Sequence, residues 1–293
     1  MAQFLQQVVS GLASGGIYGS LALALVLIYR STGVVNFAQG EMATFATYIT
    51  WTLMDHGLGF WPAFAITVAV AFVGGITIEL TIIRPVEDAP VLVVVILTIG
   101  LLILINGATT WIWGGAAKQF HGPFSTRPIH IGGVAFSIQD FGTIGVSLVA
   151  VLLLALFFRY TKAGLALRAS ALNPHSSRLV GIRVGWMLGL GWGLAAVLGA
   201  VAGAMAAPSL FLDPNMMQAV LLYAFAAAVL GGLDSPVGAV VAGLAIGVAL
   251  NLLGTYWDFV GGQLRLPAAL ALILGVLLLR PQGLFGRAAV RRV

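Results

Sequence analysis

VLVVVILTIGLLILINGATTWIW, residues 91–113, runs without a single charged side chain. An α-helix needs about 20 such residues to cross roughly 30 Å of hydrocarbon, so this stretch reads as a membrane span. Working outward, the same pattern recurs at 8–29, 61–83, 140–159, 185–207, 218–232, 237–256 and 266–280, with a shorter run at 41–54. That predicts an all-α polytopic bundle of about eight spans. The count rises to nine if 41–54 crosses; otherwise the eight are joined by a re-entrant segment. The chain reads as one transmembrane domain over residues 1–293, with 160–184 as a cytoplasmic loop within it.

Composition points the same way. Of 293 residues, 60% are hydrophobic and 8% charged, and mean hydropathy is +1.05. A soluble domain carries about 25% charge to clothe its core. Cysteine is absent, which removes disulfides, thiolate metal sites and cysteine nucleophiles. The net charge of +5 comes from Lys and Arg gathered in short loops, as topology demands, so nucleic acid is not called for. Residues 1–29 carry no charge and lack the basic segment of a signal peptide, so they read as a first membrane helix.

Positive charge sets the orientation. Arg159, Lys162, Arg168, Arg178 and Arg183 fall in 159–183 with no acid, which marks that loop as cytoplasmic. Arg280, Arg287, Arg291 and Arg292 mark the tail likewise, and the even number of spans between the two signals agrees. Counting back puts Arg84 inside and 114–139 outside. If 41–54 crosses, Arg30 is inside and the uncharged N-terminus outside; if it is re-entrant, the N-terminus moves inside.

Three segments depart from plain spans. YRSTGVVNFAQGEM, 29–42, sets Arg30, Asn36, Gln39 and Glu41 between apolar runs. Broken backbone at membrane depth survives only where protein or a water-filled cavity satisfies it, and in transporters such breaks border the substrate path. An ordinary surface turn is the competing reading. AAAVLGGLDSPVG, 226–238, holds Gly231, Gly232, Asp234, Ser235 and Pro236 and reads as a discontinuous helix or a tight inner turn. Together the two breaks hint at a weak internal repeat. The loop 161–184 should form two short helices, the first near 164–172. The second has Asn173 as N-cap, Pro174 at its first position and Gly181 at its end. It either rests on anionic headgroups or docks on a soluble partner. Gly11, Gly15, Gly16 and Gly19, and Gly238, Gly243 and Gly247, form small faces on which helices approach closely.

Isolated polar groups say less. Glu79 lies near the inner end of its span, where it pairs with Arg84 or Arg30 or reaches the interface; Asn106 and Asn251 read as bonds between helices. His56, His121, His130 and His175 all fall in loops, which leaves no metal or protease constellation in a span. Lys118 and Lys162 follow Ala and Thr, so there is no Gly-Lys-[Ser/Thr] phosphate loop and no route to ATP binding of that kind.

The motifs in order carry a resemblance. VVNFAQGEM resembles the NFAxGE segment of branched-chain amino-acid ABC importer permeases, and AAAVLGGLDSPVGAVVAG resembles their AAVLGGxxSxxGAxxGG stretch, with Asp234 at a position where the family often has a small hydrophobic residue or Gly. IIRPV at 82–86, Arg168-Ala169 with Gly181-Ile182, and RPQGLFGR complete the series. The likeness covers about residues 10–287 and is strongest to the shorter, LivH-like permease of the pair. It implies a non-catalytic translocation subunit of a bacterial inner membrane that binds no cofactor of its own. Its implied partners are a second, related permease, two cytoplasmic ATPases that consume ATP, and an extracytoplasmic binding protein. It also implies that Lys162, Gly164, Arg168, Ala169, Asn173, Pro174, Arg178 and Gly181 form an ATPase-coupling loop, and it favours Asn36, Phe37, Gln39, Gly40, Glu41, Gly231 and Gly232 as path residues. Similar permeases serve urea and short-chain amides. The rival from another class is a self-sufficient ion-coupled carrier using Glu41 or Glu79.

Overall fold

The computed structural model describes residues 1–87, 89–125, 127–131, 134–257, 264–280 and 283–286. The tail arginines Arg287, Arg291 and Arg292 lie outside the described residues. The chain begins with α1 (Ala2–Thr32), α2 (Gln39–Asp55), α3 (Phe60–Ile78) and α4 (Val91–Trp113). A two-stranded antiparallel hairpin follows, β1 (Pro128–Ile131) with β2 (Val134–Ser137), pairing Ile129 with Phe136. Then come α5 (Ile138–Tyr160), the short α6 (Lys162–Leu172) and α7 (Pro174–Leu179), and α8 (Val184–Leu210), α9 (Met216–Gly231), α10 (Pro236–Tyr256) and α11 (Arg265–Leu279).

Among the described residues, six helices are long and apolar enough to cross a membrane: α1, the continuous helical stretch Phe60–Val86 that starts with α3, α4, α5, α8 and α10. The helices α2, α9 and α11 are shorter, with 17, 16 and 15 residues. At 1.5 Å per residue each spans only about 22–26 Å.

Small residues decide what is central. α1 is buried over most of Gly11–Ile28 and α8 over most of Gly189–Ala207, both rich in Gly and Ala. In lipid, helices gain by close backbone contact rather than by hiding leucines. Accordingly α1 packs antiparallel on α10: a methyl on Gly15 would lie 2.7 Å from Leu244 Cα, and one on Gly243 would lie 2.5 Å from Gly19 Cα. The bulky apolar side chains turn outward instead, with Val73, Leu92, Ile103 and Leu153 exposed on α3, α4 and α5.

The loops sort onto two ends. Arg30, Arg168 and Pro236 line one cavity, and Arg178 Nη2 lies 4.0 Å from Glu87 Oε1, so the ends of α1 and α3, the α6–α7 loop and the start of α10 share one end. The N-terminus lies at the opposite end, because α1 is 31 residues long, roughly 46 Å.

Candidate functional site

The break between α1 and α2 opens at an exposed Gly33 and runs into a buried stretch from Asn36 on. Gly33 adopts φ +72° and caps α1 by donating to Tyr29 O; the chain then turns at 36–38 to start α2. Asn36 and Gln39 are fully buried and Glu41 is 2% exposed. Asn36 Oδ1 accepts from Ala38 N at 3.0 Å, Asn36 Nδ2 donates to Gln39 Oε1 at 3.2 Å, and Gln39 Nε2 donates to Ala195 O at 2.8 Å. The last bond ties the start of α2 to the middle of α8. Gly199 makes room for it, since a methyl there would meet Gln39 Nε2 at 2.9 Å. A buried amide left without partners is costly, and this chain of bonds satisfies both amides.

Next along α2, Glu41 joins a polar group drawn from three other places in the chain. Asn106 Nδ2, on α4, lies 3.1 Å from Glu41 Oε2, 3.1 Å from Pro214 O and 3.0 Å from Asn215 Oδ1. Gln218 Nε2 donates to the same Asn215 oxygen at 2.8 Å. Asn106 sits about 10 Å from the C-terminal end of α4, so this group lies within the length of the bundle rather than at its end. Asn215 and Gln218 are nevertheless exposed on the flank of the bundle. Gly40 lets α9 approach: a methyl there would lie 3.3 Å from Met217 O. Phe37 is half-buried.

On the other side of α9, a cavity of about 280 Å3 is lined by Ser14, Tyr18, Asp140, Thr143 and Tyr223 among others. Ser10 Oγ donates to Asp140 Oδ2 at 2.8 Å, and the rings of Tyr18 and Tyr223 lie 5.1 Å apart.

Gly231 and Gly232 are not brought to this region. Met217, beside Gly40, is separated from Gly231 by most of α9, about 21 Å of helix. They form a tight turn: Gly232 takes φ +96°, Gly231 and Gly238 touch backbone to backbone, and Ser235 Oγ caps α10 by accepting from Gly238 N at 3.1 Å. The C-terminal segment closes over it, with Leu284 N donating to Leu230 O at 2.7 Å.

The basic loop is ordered. Thr161 caps α6 by accepting from Gly164 N at 2.9 Å, and Asn173 Oδ1 caps α7 by accepting from Ser176 N at 2.9 Å, with Pro174 at its first position. Gly181 takes φ +85° and ends the unit. Gly164 lies against the backbone of Phe157 and Phe158, which anchors α6 under α5. Lys162 and Arg178 are exposed, Ala169 half-buried, and Arg168 turns its guanidinium inward to line a cavity beside α1. Unlike an ordinary polar loop, this one exposes Leu179 at 83%, Leu172 at 78%, and also Val180 and Leu165.

Glu79 pairs with Arg84, Oε2 to Nη2 at 3.2 Å, across a π-helical turn, Glu79–Ile83. Gly185 and Gly189 of α8 leave the space for the two side chains. Asn106 does bond between helices. The part played by Asp140, Asn215 and Gln218 had no signal in the sequence, because each depends on partners far away along the chain.

Comparison with known proteins places the chain. A family profile described as the branched-chain amino acid transport system permease component matches residues 7–280. The chain is 31% identical to the high-affinity branched-chain amino acid transport system permease protein BraD of Pseudomonas aeruginosa, over 99% of this chain and 98% of BraD. It is 30% identical to the Escherichia coli permease protein LivH, over 99% and 98%. It is also 30% identical to a probable branched-chain amino acid transport permease protein LivH of Methanocaldococcus jannaschii, over 91% and 87%. Among solved structures, a chain of PsaBC from Streptococcus pneumoniae in complex with Fab shares the fold, with a TM-score of 0.50 at 16% identity over 95% of this chain and 92% of that one. The chain therefore belongs to the family of permease components of branched-chain amino acid transport systems.

Proposed function

We propose that this chain is the translocation subunit of an ATP-driven importer for branched-chain or related hydrophobic amino acids in the bacterial inner membrane. The observation that carries the reading is the α6–α7 unit. It is a capped, basic, two-helix loop at one end of the bundle that exposes Leu172, Leu179 and Val180. Exposed leucines on an ordered loop mark a surface that another protein covers. Exposed Arg178, one residue before Leu179, and Lys162 at the start of α6 add charge for steering. The partner that fits is a cytoplasmic ATPase, two per importer, which binds and hydrolyses the ATP; this chain holds no cofactor. Closure of the ATPases pushes on α6 and α7, which rest against α5 and α8, and so tilts the bundle.

The end bearing α6–α7 faces the cytoplasm, with the C-terminus; the N-terminus is extracytoplasmic, since α1 carries it to the far end. Substrate arrives from an extracytoplasmic binding protein and passes between this chain and a second, related permease. The flank carrying Asn215 and Gln218 fits that seam. Exposed amides below the membrane surface are unfavourable against lipid and are met by water or by protein. Phe37 and Glu41 border it, whereas Asn36, Gln39 and Gly40 hold α2 in place behind it. Gly231 and Gly232 serve the inner turn, through which α9 passes movement on to α10. A path with few polar groups holds the amino acid weakly, which suits rapid release.

The test is to tag the chain, purify it from native membranes in mild detergent, and identify what accompanies it. The reading predicts an ATPase with a Gly-Lys-[Ser/Thr] loop and a second permease at fixed stoichiometry. A homo-oligomer free of ATPase, from membranes that contain the neighbouring subunits, contradicts it.

A further inference from the structure

α5 and α10 both pack on α1 but leave a fissure between them. The fissure encloses about 320 Å3. Its floor is Leu23 and Leu27 of α1, and its walls are Leu154 and Phe158 of α5 and Val237 and Val241 of α10. Val237 is 73% exposed at the mouth. The lining is apolar except at one end, where Arg30 of α1 and Arg168 of α6 both reach in.

The two guanidiniums are unpaired. Among the described residues neither forms an ion pair, and Arg168 Nε is buried without a hydrogen-bond partner. Asp234, the acid nearest the mouth along the chain, is exposed and pairs with neither. Two like charges at the end of an apolar slot are unfavourable alone and call for an anion between them. The end in question is the one that carries the basic loop, which the orientation proposed above sets at the inner headgroups.

We infer that the α5–α10 fissure binds one anionic phospholipid of the inner leaflet, its phosphate held between Arg30 and Arg168 and one acyl chain lying along Leu23, Leu27 and Val241. The shape selects a lipid over a free anion, since a phosphate alone leaves the slot empty. Basic pockets between membrane helices on the cytoplasmic side recognise anionic headgroups on this principle. Because Arg168 belongs to α6, the lipid ties the loop unit to α1 from its inner side, while the outer side of the unit stays open.

The test uses the full chain in mild detergent, mixed with phosphatidylglycerol or with phosphatidylcholine of the same acyl chains, and counts retained lipids by native mass spectrometry. One phosphatidylglycerol should be retained per chain. At about a factor of five per arginine, the double variant Arg30→Gln, Arg168→Gln should lower its retention roughly 25-fold, to the level of phosphatidylcholine. Val237→Trp fills the slot and keeps both charges, and it should lower retention of both lipids. Equal retention by either variant and the native chain overturns the inference. So does displacement of phosphatidylglycerol by excess inorganic phosphate, which marks an anion site without a tail groove. Loss of the lipid when the chain is purified within its complete assembly overturns it too, because a partner subunit then covers the fissure.

Discussion

At the scale of single residues, the interior of this protein is held by amides. Gln39 illustrates it: one side chain accepts from Asn36 and donates to Ala195 O, 156 positions away. Gln39→Leu removes both bonds and strands a buried amide and a buried carbonyl. The expected loss is about 1–3 kcal/mol, read as a lowered unfolding midpoint in detergent; an unchanged midpoint would show that water replaces the amide. Asn106→Leu should act differently. Its three partners cluster where Asn215 and Gln218 are exposed, so transport should fall more than stability, measured as uptake per folded molecule. The sequence flagged Asn36, Gln39, Glu41 and Asn106 because polar side chains are rare in such runs. It did not reveal Asn215 or Gln218, since a polar pair after a helix end reads as a loop until α2 and α4 are seen beside it. Glu79 left two candidate partners in the sequence; only Arg84, five positions on with a π-turn between, comes within reach.

At the scale of elements, glycines separate the packed faces from the free ones. Gly15→Ala and Gly243→Ala each drive a methyl into the backbone of the facing helix, so each should reduce the folded yield. Gly74→Ala meets nothing within 4 Å and should be neutral or slightly stabilising, by up to about 1 kcal/mol. Equal behaviour of all three would refute the α1–α10 contact. The α6–α7 unit gives a second prediction. Leu172→Asp with Leu179→Asp changes only exposed positions, so the chain should fold normally while its recovery of ATPase on purification falls at least about tenfold, the effect of losing roughly 1.4 kcal/mol of contact. Normal recovery would move the docking surface elsewhere. The caps at Asn173, Pro174 and Gly181 were legible because local chemistry sets them. The hairpin Pro128–Ser137 is masked in the sequence by a surrounding loop rich in Gly and Pro, and its trace is the β-branched and aromatic runs that flank Gly132-Gly133, itself a turn signal. The shortness of α2 and α9 was less legible, because it depends on where the chain turns within the bundle.

At the scale of the whole molecule, the role proposed for the chain is that of a scaffold that transmits motion driven by partner subunits. Membership of the permease family rests on nearly the full length, residues 7–280. The motifs that carried the resemblance proved to be structural joints: the buried break before α2, the α6–α7 unit, and the turn before α10 closed by the C-terminal segment. The sequence could name the joints because each needs a glycine, a cap or a buried amide at a fixed place. It could not give the cluster of Glu41, Asn106, Asn215 and Gln218 or the α5–α10 fissure, whose residues meet only from helices distant in sequence. Partner subunits are proposed to power this chain. The most direct test is uptake of labelled leucine, isoleucine and valine into proteoliposomes. The assembled permeases, ATPases and binding protein should accumulate substrate only with ATP, while this chain alone should take up none under an imposed proton or sodium gradient. Gradient-driven uptake by the purified chain alone would contradict the account and turn attention to Glu41 and Glu79 as coupling groups.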